Sequence, residues 1–547
     1  MKAAELLIRC LEHEGVQYMF GVPGEENIDV MDALVESSIE FIVTRHETGA
    51  AFMAGVYGRL TGRPAACLAT LGPGATNMVT GVANATMDHQ PVIAITGQAG
   101  LNRQHKISHQ HYNLTAMYEP VTKWSAQVKD PDTIPEMVRK AVRTAAGEKP
   151  GAVHLDFPED IAKLDTDAAP LEIVESPHVM AEEHAVKRAA TEIDEAAAPL
   201  ILVGNGVARN KAEEELGNFV EKLNLPLVHT FMGKGALART NQHSLLSAGV
   251  GGDDYIACAF RETDLIITIG FDIVEYPPAN WNEGKTSIIH IDSLEAETDQ
   301  NYPVKHQLVG DIQSNLEGLT KACQRTHTLP DWATEVREQV LNEVESARDD
   351  TSFPLKPQKI CADLREALPE RSHVITDVGA HKMWLARLFH TSAPDHFLIS
   401  NGLASMGVAL PGAVAAKMVY PNEPVVAVAG DGALQMTGCE METVVRLGLP
   451  VIILLWRDEG YGLIEWHQLK HFERDAHVSF GNPDFLQLAE AYGFESIQIT
   501  AADELTPALK KAVELNKPVF IDCPVDYKEN MKLTERFEQL SCNKKED

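Results

Sequence analysis

Short apolar runs rich in valine and isoleucine alternate with amphipathic stretches along the whole chain. Strands that are buried on both faces of a sheet have this continuous apolar pattern, because helices cover both faces. The pattern therefore predicts an α/β protein built on parallel sheets. The predicted strands fall into three blocks: Tyr18–Gly21, Phe41–Val43, Ala65–Thr70, Val92–Thr96 and Ala152–Asp156; then Pro199–Val203, Leu225–Val228, Leu265–Ile269 and Ser287–Ile291; then Val374–Thr376, Val425–Ala429, Val451–Trp456 and Val519–Ile521.

Polar stretches separate the three blocks. Asp165–Ala181, with Pro170 and Pro177, is predicted to be a linker, and a second polar region covers Arg325–Pro330 and Glu343–Lys356. A chain of 547 residues is also too long for a single hydrophobic core. We therefore expect three doubly wound parallel-sheet domains over residues 1–170, 185–335 and 355–530, followed by a tail over 531–547.

Composition and charge narrow the class of partner. The hydrophobic fraction of 44% and the charged fraction of 23% are ordinary for a globular protein. The net charge of −32 weighs against nucleic acid or an anionic membrane surface as the main partner, and no apolar run reaches the ~18 residues of a membrane span. The eight cysteines are scattered without a CxxC pair, so neither a disulfide framework nor a zinc site is expected from them. A cytoplasmic protein is expected.

The turn Gly430-Asp431-Gly432 is the most informative segment of the third block. It follows a buried strand and precedes a predicted helix, Leu434–Leu447, whose free N–H groups would favour a phosphate. The next strand ends at Asp458, 27 residues after Asp431. Adjacent parallel strands would bring both carboxylates to one sheet edge, where they suit Mg²⁺ together with phosphate oxygens. An ordinary glycine turn with a surface aspartate would account for Gly430-Asp431-Gly432 by itself. It accounts less well for the presence of Asp458 at this distance along the chain.

This spacing resembles the cofactor motif of thiamine-diphosphate-dependent enzymes, although their usual form ends in two asparagines where this chain has Arg457-Asp458. The segment RHETGAAFMAG, the turn LGPG, and the segments ISNGLASMGVALPG and DVGAHKMW also resemble that family. The resemblance extends from Gly21 to about Thr534. In the middle block, LIITIGFDIVEYPPANWN is similar to the catabolic, flavin-independent acetolactate synthases, which also use Asp at the position of Asp458.

The resemblance implies thiamine diphosphate and Mg²⁺, held by a pyrimidine-binding N-terminal domain and a diphosphate-binding C-terminal domain on either side of a central domain. It places Mg²⁺ on Asp431, Asp458 and the carbonyl of Gly460. Glu47 would hydrogen-bond the aminopyrimidine so that the cofactor can lose its ring proton. Alternatively, Glu47 is only an acidic residue in the first turn of a helix. The other implied cofactor contacts are Thr70, Asn77, Gly379, His381, Ala404, Gly430, Gly432, Ala433, Tyr461 and Met406, the apolar residue that would bend the cofactor.

The implied reaction decarboxylates one pyruvate and ligates the enamine to a second 2-oxo acid, which gives 2-acetolactate. Gln110 would donate a hydrogen bond to the developing oxyanion. The substrate would also meet Leu463, Ile464 and His467, although these residues could equally be core or surface positions.

Two alternatives remain open from the sequence. The first is a 2-oxo acid decarboxylase that releases an aldehyde, because Glu25 stands where decarboxylases have an acid. His109, His111 and Glu465 could join Glu25 as proton donors. The second is a non-catalytic paralogue that binds a nucleotide in the middle block, and the presence of all three acidic cofactor residues argues against it.

The resemblance also bears on FAD binding and on the oligomeric state. Gly204-Asn205-Gly206 is a lone GxG turn and weak evidence for a dinucleotide, so FAD is not expected. The family forms homodimers or homotetramers with active sites at the subunit interface, where Glu47 and the metal site would come from different chains. The preferred 2-oxo acid and the presence of a regulatory subunit stay open.

Overall fold

Three parallel six-stranded sheets, each covered by helices, make up the chain. They are seen in a computed structural model that describes residues 1–174, 179–249 and 256–533. This confirms the α/β class with three doubly wound sheets. Within the linker prediction, residues 175–178 lie outside the described residues, and so do residues 534–547 of the tail.

The first sheet has the strand order β2-β1-β3-β4-β6-β5. Its strands are β1 Tyr18–Gly21, β2 Glu40–Val43, β3 Ala65–Ala69, β4 Val92–Gln98, β5 Trp124–Gln127 and β6 Ala152–Pro158. Its helices are α1 Ala3–His13, α2 Ile28–Leu34, α3 Glu47–Thr61, α4 Pro73–Met87, α5 Leu114–Tyr118, α6 Ile134–Ala146 and α7 Glu159–Ala162.

The second sheet has the order β12-β11-β10-β7-β8-β9. Its strands are β7 Pro199–Val203, β8 Leu227–His229, β9 Ser244–Ser247, β10 Leu265–Ile269, β11 Ser287–Asp292 and β12 Val304–Val309. The accompanying helices are α8 Glu183–Glu195, α9 Gly206–Arg209, α10 Glu213–Leu223, α11 Ala257–Arg261, α12 Ile312–Ala322 and α13 Asp331–Ser346.

The third sheet has the order β14-β13-β15-β16-β18-β17. Its strands are β13 His373–Thr376, β14 Phe397–Ile399, β15 Val425–Gly430, β16 Val451–Arg457, β17 Glu495–Gln498 and β18 Val519–Pro524. Its helices are α14 Pro357–Ala367, α15 Ala380–Leu388, α16 Ala409–Val419, α17 Asp431–Thr437, α18 Met441–Arg446, α19 Gly462–Phe472, α20 Phe485–Tyr492 and α21 Leu505–Leu515.

The helix predicted over Leu434–Leu447 is wrong as a single element. The chain forms α17, a 3₁₀ turn over Gly438–Glu440 and then α18. The turn places the buried Glu440 carboxylate against the first domain, where it accepts the backbone N–H groups of Arg45 at 3.1 Å and His46 at 3.0 Å. A contact between domains therefore overrides the local helical pattern.

The first and third domains share one hydrophobic core through α3 and α16. Small residues allow these two helices to approach closely: a Cβ on Gly412 would lie 3.2 Å from a methyl group of Val56. The Glu440 contact closes the end of the same interface, because a Cβ on Gly49 would lie 2.6 Å from its carboxylate. The interface thereby fixes the loop that leads into α3.

The structure bears on the two expectations about disulfide bonds and membrane-spanning helices. Free thiols are found at Cys10, Cys67, Cys323, Cys361, Cys439 and Cys523. Cys258 is disulfide-bonded, which the scattered spacing did not predict. Within the described residues, every helix falls short of the length and hydropathy that a membrane crossing needs.

Candidate active site

Two acidic side chains meet at the carboxyl edge of the third sheet. β15 and β16 are neighbouring parallel strands, paired up to Gly430 opposite Trp456, so the residues that follow them emerge side by side. Asp431 begins α17 and is 1% exposed. One of its carboxylate oxygens, Oδ2, accepts the backbone N–H groups of Asp458 at 3.3 Å and Glu459 at 2.7 Å. The spacing in the sequence thus corresponds to a contact in space.

The electrostatics of this pair favour a cation. Burial, and then the charge of Asp431, raise the pKa of the Asp458 carboxyl to about 8. Two neighbouring buried carboxylates disfavour each other's charged form unless a positive charge lies between them. A hard divalent ion with oxygen ligands would supply that charge.

A cavity opens beside the two carboxylates. It is lined by every third-domain residue predicted to contact the cofactor, and by two of the predicted substrate residues. The lining includes Gly379, His381, Ala404, Met406, Gly430, Asp431, Gly432, Ala433, Asp458, Gly460, Tyr461, Leu463 and Ile464, together with Tyr527, which sequence reasoning did not single out.

Unmet polar groups around this cavity fit a polar ligand. Among the described residues, the buried His381 Nε2, Tyr527 hydroxyl and Asn482 Oδ1 have no hydrogen-bond partner. Such atoms are rare in folded proteins because leaving them unpaired costs about 1–3 kcal/mol each. Glycines also keep space open beside the His381 ring: a Cβ on Gly379 would lie 2.7 Å from it and one on Gly430 3.2 Å. The residues present therefore fit a diphosphate bound through a metal ion.

Asn482 is a part of this site that the sequence analysis missed. Its side-chain amide donates to Asp431 Oδ2 at 2.7 Å from a loop 51 residues further along the chain. Phe480, in the same loop, packs against the Tyr461 ring at a centroid distance of 5.0 Å. No local motif marks these residues, because the loop reaches the site only through the tertiary fold.

Asp377 organises the loop that carries Ala404 and Met406. It is 1% exposed, and its carboxylate accepts the backbone N–H groups of Gly407 at 2.7 Å and Ala409 at 2.9 Å. Gly407 has a φ of +94°, and Ala404 also has a positive φ of 55°, so this loop is held in a conformation that few side chains favour. The segment DVGAHKMW contained Asp377, but the sequence analysis gave this residue no role.

Asp377→Ala is expected to lower the stability of the protein by at least ~3 kcal/mol, because it leaves the buried N–H groups of Gly407 and Ala409 and the partly buried N–H of Val378 without an acceptor. Denaturant unfolding of the purified variant measures this directly. Asp503→Ala is the matched control, since Asp503 is exposed. A loss below ~1 kcal/mol, the usual effect of a surface substitution, would contradict the assigned role of Asp377.

Glu47 occupies the first position of α3, at the carboxyl edge of the first sheet. Its side chain is 9% exposed, and its carboxylate accepts the side-chain amide of Asn77 at 3.0 Å. A Cβ on Gly74 would approach the same carboxylate to 3.2 Å. The GPG turn and α4 therefore hold Glu47 in one orientation.

The two neighbouring glutamates of the first domain differ in burial. Glu25 is exposed, whereas Glu26 is 9% exposed. The predicted cofactor contact Thr70 donates its hydroxyl to Glu26 at 2.7 Å. The buried acid that lies next to the GPG turn is thus Glu26, which the sequence analysis did not single out.

Gln110 and His111 lie on a loop beside the same turn. Gln110 has a φ of 55°, and a Cβ on Gly72 would lie 2.8 Å from its Cβ. The Nδ1 atom of His111 lies 2.9 Å from Gln98 Oε1, and the Gln98 amide donates to the buried Asp156 at 3.2 Å. Gln98 and Asp156 therefore fix the orientation of His111, and neither was predicted.

The predicted first-domain residues and His467 lie outside the cavity of a single chain. Glu47 is not one of the described residues that line the cavity. His467 is exposed, further along α19 than the lining residues Leu463 and Ile464. The first-domain and third-domain halves of the predicted site are therefore two separate clusters within one chain.

Models of one protein family match the three domains in turn. Residues 1–117 match the thiamine pyrophosphate enzyme N-terminal TPP binding domain, residues 186–319 the central domain, and residues 377–523 the C-terminal TPP binding domain. Each matched range falls within one of the three sheet-containing domains.

Curated relatives are similar over almost the whole chain. The acetolactate synthase of Bacillus subtilis (strain 168) is 34% identical over 543 residues, which cover 97% of this chain and 94% of that protein. The catabolic acetolactate synthase of Raoultella terrigena is 34% identical, with 96% and 95% covered. A probable acetolactate synthase large subunit of Methanocaldococcus jannaschii is also 34% identical, with 96% and 92% covered.

Proposed function

Since the chain belongs to the thiamine pyrophosphate enzymes and, within them, to the acetolactate synthase family, we propose that it joins two molecules of a 2-oxo acid with loss of CO₂. With pyruvate, the product is 2-acetolactate. The observation that carries this proposal is one cavity in which the buried Asp431, the partly buried Asp458, the glycine-flanked His381 and an apolar wall lie together. That combination provides a metal–diphosphate site beside a surface suited to small apolar substrate groups.

Different residues would bind the two ends of the cofactor. Asp431, Asp458 and the carbonyl of Gly460 would hold Mg²⁺. Thiamine diphosphate, when bound, supplies a nucleophilic ring carbon and accepts the electrons released on decarboxylation. Glu47, held by the Asn77 amide, would present its carboxyl to the aminopyrimidine ring nitrogen and would share a proton there.

The cavity requires a second copy of the chain to complete it. Glu47 is absent from the described lining of its own chain's cavity, so a neighbouring subunit supplies this carboxyl. Large apolar side chains at and near the cavity mouth are exposed in one chain: Tyr461 at 39%, Ile464 at 50%, Leu403 at 40% and Met436 at 53%. Exposed apolar patches of this kind are typical of protein interfaces. A homodimer, alone or paired into a tetramer, follows.

The relatives favour ligation over release of an aldehyde, because those reported above carry the name acetolactate synthase. Gln98 Oε1 accepts the backbone N–H of Ala99 at 2.8 Å, and its amide nitrogen faces the Asp156 carboxylate. Because the amide is fixed in this way, His111 Nδ1 must be the donor to Gln98 Oε1. This hydrogen bond holds the His111 ring in one orientation. Glu25, another of the four proposed proton donors, is exposed.

Incubation with pyruvate, thiamine diphosphate and Mg²⁺ is expected to give acetolactate, and acetoin after acid treatment, as the dominant product. The same reaction mixture without pyruvate is the control. Product identification by chromatography and mass spectrometry separates the two outcomes. Acetaldehyde as the main product would overturn the proposal in favour of a decarboxylase, and absence of turnover would favour a non-catalytic protein.

A flavin has no role in the proposed reaction, and the GxG turn of the central domain has a packing role. In the GxG turn after β7, a Cβ on Gly204 would lie 2.4 Å from the carbonyl oxygen of Gly270, and one on Gly206 2.5 Å from its Cα. The backbone N–H of Asn205 is already bonded to the buried Glu275 at 3.0 Å. The glycines of this turn thus serve the packing of the central domain.

A further inference from the structure

A second group of metal-ligating side chains lies at the opposite, amino edge of the third sheet. His373 begins β13, His396 immediately precedes β14, and Glu423 lies just before β15. These three strands are neighbours in the sheet, so the three side chains converge although they are up to 50 residues apart in sequence. One ligand atom from each lies within 4.8 Å of the other two.

The orientation of His373 is fixed by its surroundings. Its Nδ1 atom lies 2.9 Å from the backbone carbonyl of Asp395 and therefore carries a proton. Its ring stacks on Tyr420 at a centroid distance of 3.9 Å, with an angle of 8° between the rings. A histidine that donates one ring N–H to a carbonyl and directs the other nitrogen into a cluster has the arrangement usual for metal ligands.

The remaining contacts bring the three ligand atoms close together. His373 Nε2 lies 2.7 Å from Glu423 Oε2. Nδ1 of His396 is buried and has no hydrogen-bond partner among the described residues. A proton on His373 Nε2 would satisfy the first pair, but it would leave His396 unpaired. A metal ion would satisfy all three atoms at once.

We propose that His373, His396 and Glu423 bind one divalent transition-metal ion of the zinc type, with water as the fourth ligand. Two imidazoles and one carboxylate form a ligand set that Zn²⁺ uses, whereas Mg²⁺ prefers oxygen ligands alone. Arg371 holds the other carboxylate oxygen, Glu423 Oε1, at 2.7 Å and leaves Oε2 directed at the histidines. This site does not depend on the proposed catalytic function.

A bound ion would tie together the starts of three strands close to the first domain. Asp395, whose carbonyl positions His373, lies next to His396, and its carboxylate is 3.9 Å from the Arg59 guanidinium of α3. The ion would therefore strengthen the third sheet near the shared core. Because it binds only the folded chain, it raises the midpoint of thermal unfolding.

The test uses the full-length protein saturated with Mg²⁺ and thiamine diphosphate, so that the carboxyl-edge site is occupied. Titration with Zn²⁺ by calorimetry is expected to show one ion per chain and a rise in Tm. Co²⁺ as a spectroscopic probe is expected to give the visible absorption of a four-coordinate nitrogen–oxygen site. His396→Gln and Glu423→Gln should each weaken Zn²⁺ binding by at least ~100-fold, the upper range for disturbing a metal's surroundings.

His105→Gln is the matched control, because His105 is exposed and lies in the first domain, away from the cluster. It should bind Zn²⁺ as the unaltered protein does. Equal Zn²⁺ affinity in the control and in both cluster variants would overturn the proposal, as would the absence of any binding to the unaltered protein. The two variants change partly exposed side chains, so folding is checked independently by circular dichroism.

Discussion

Glu47→Gln is expected to lower kcat with pyruvate by at least ~100-fold, a magnitude typical of lost acid–base catalysis, while cofactor affinity changes little. Glutamine keeps the size of the side chain and can still hydrogen-bond Asn77, but it cannot share a proton with the aminopyrimidine. The binding energy of the cofactor comes mainly from the metal–diphosphate end, which this change does not touch. Steady-state kinetics and calorimetric titration with thiamine diphosphate separate the two effects.

Glu40→Gln is the matched control for this variant. Glu40 lies at the start of β2 in the same domain, and its side chain is exposed. Its replacement should leave kcat within ~2-fold of the original, as expected for a surface change that touches no special feature. Unchanged kcat in Glu47→Gln would remove the assigned role of this carboxyl, whatever the product.

Asp431→Ala is expected to weaken Mg²⁺-dependent cofactor binding by at least ~100-fold, since even outer partners of a metal ligand are worth 10–100-fold. The change removes one proposed ligand and also the acceptor for the N–H groups of Asp458 and Glu459 and the amide of Asn482. The loop that carries the second ligand loses its anchor at the same time. Calorimetry with thiamine diphosphate at fixed Mg²⁺ measures the affinity.

Asn482→Ala should have a smaller effect of the same sign, within ~10–100-fold, because it acts on the metal through Asp431. Asp503→Ala, an exposed aspartate of the same domain, is the control and should bind the cofactor normally. Normal cofactor affinity in Asp431→Ala would show that the diphosphate is held elsewhere.

The strands that the sequence did not predict share one physical property. β5, β9, β12, β14 and β17 are all edge strands of their sheets. An edge strand has a neighbour on one side only and is not covered as completely, so it does not need a continuous apolar run. β17, Glu495–Gln498, is only partly buried, and β12, Val304–Val309, alternates between partly buried and exposed positions until Leu308. Hydrophobic pattern alone therefore finds the centre of each sheet and, apart from β2, misses the edge strands.

The part of the site that the sequence predicted consists of metal-ligating residue types that directly follow neighbouring buried strands. Asp431 and Asp458 follow adjacent buried strands, so spacing along the chain determines their proximity. Supporting residues such as Asp377, Gln98 and Asn482 act on backbone groups and side chains that are distant in sequence. Their types are also common in ordinary turns and cores, so only the folded structure distinguishes them. Asp377 leaves a weak signal, since it directly follows a buried strand.

The central claim is that one cofactor is clamped between Glu47 of one subunit and the Asp431–Asp458 site of another. Co-expression of Glu47→Gln with Asp431→Ala tests it most directly. About half of the dimers would be hybrids, and each hybrid would hold one intact site out of two, so the account predicts about a quarter of the unaltered activity from two inactive variants. Activity that stays at the level of the separate variants would contradict a site shared between subunits.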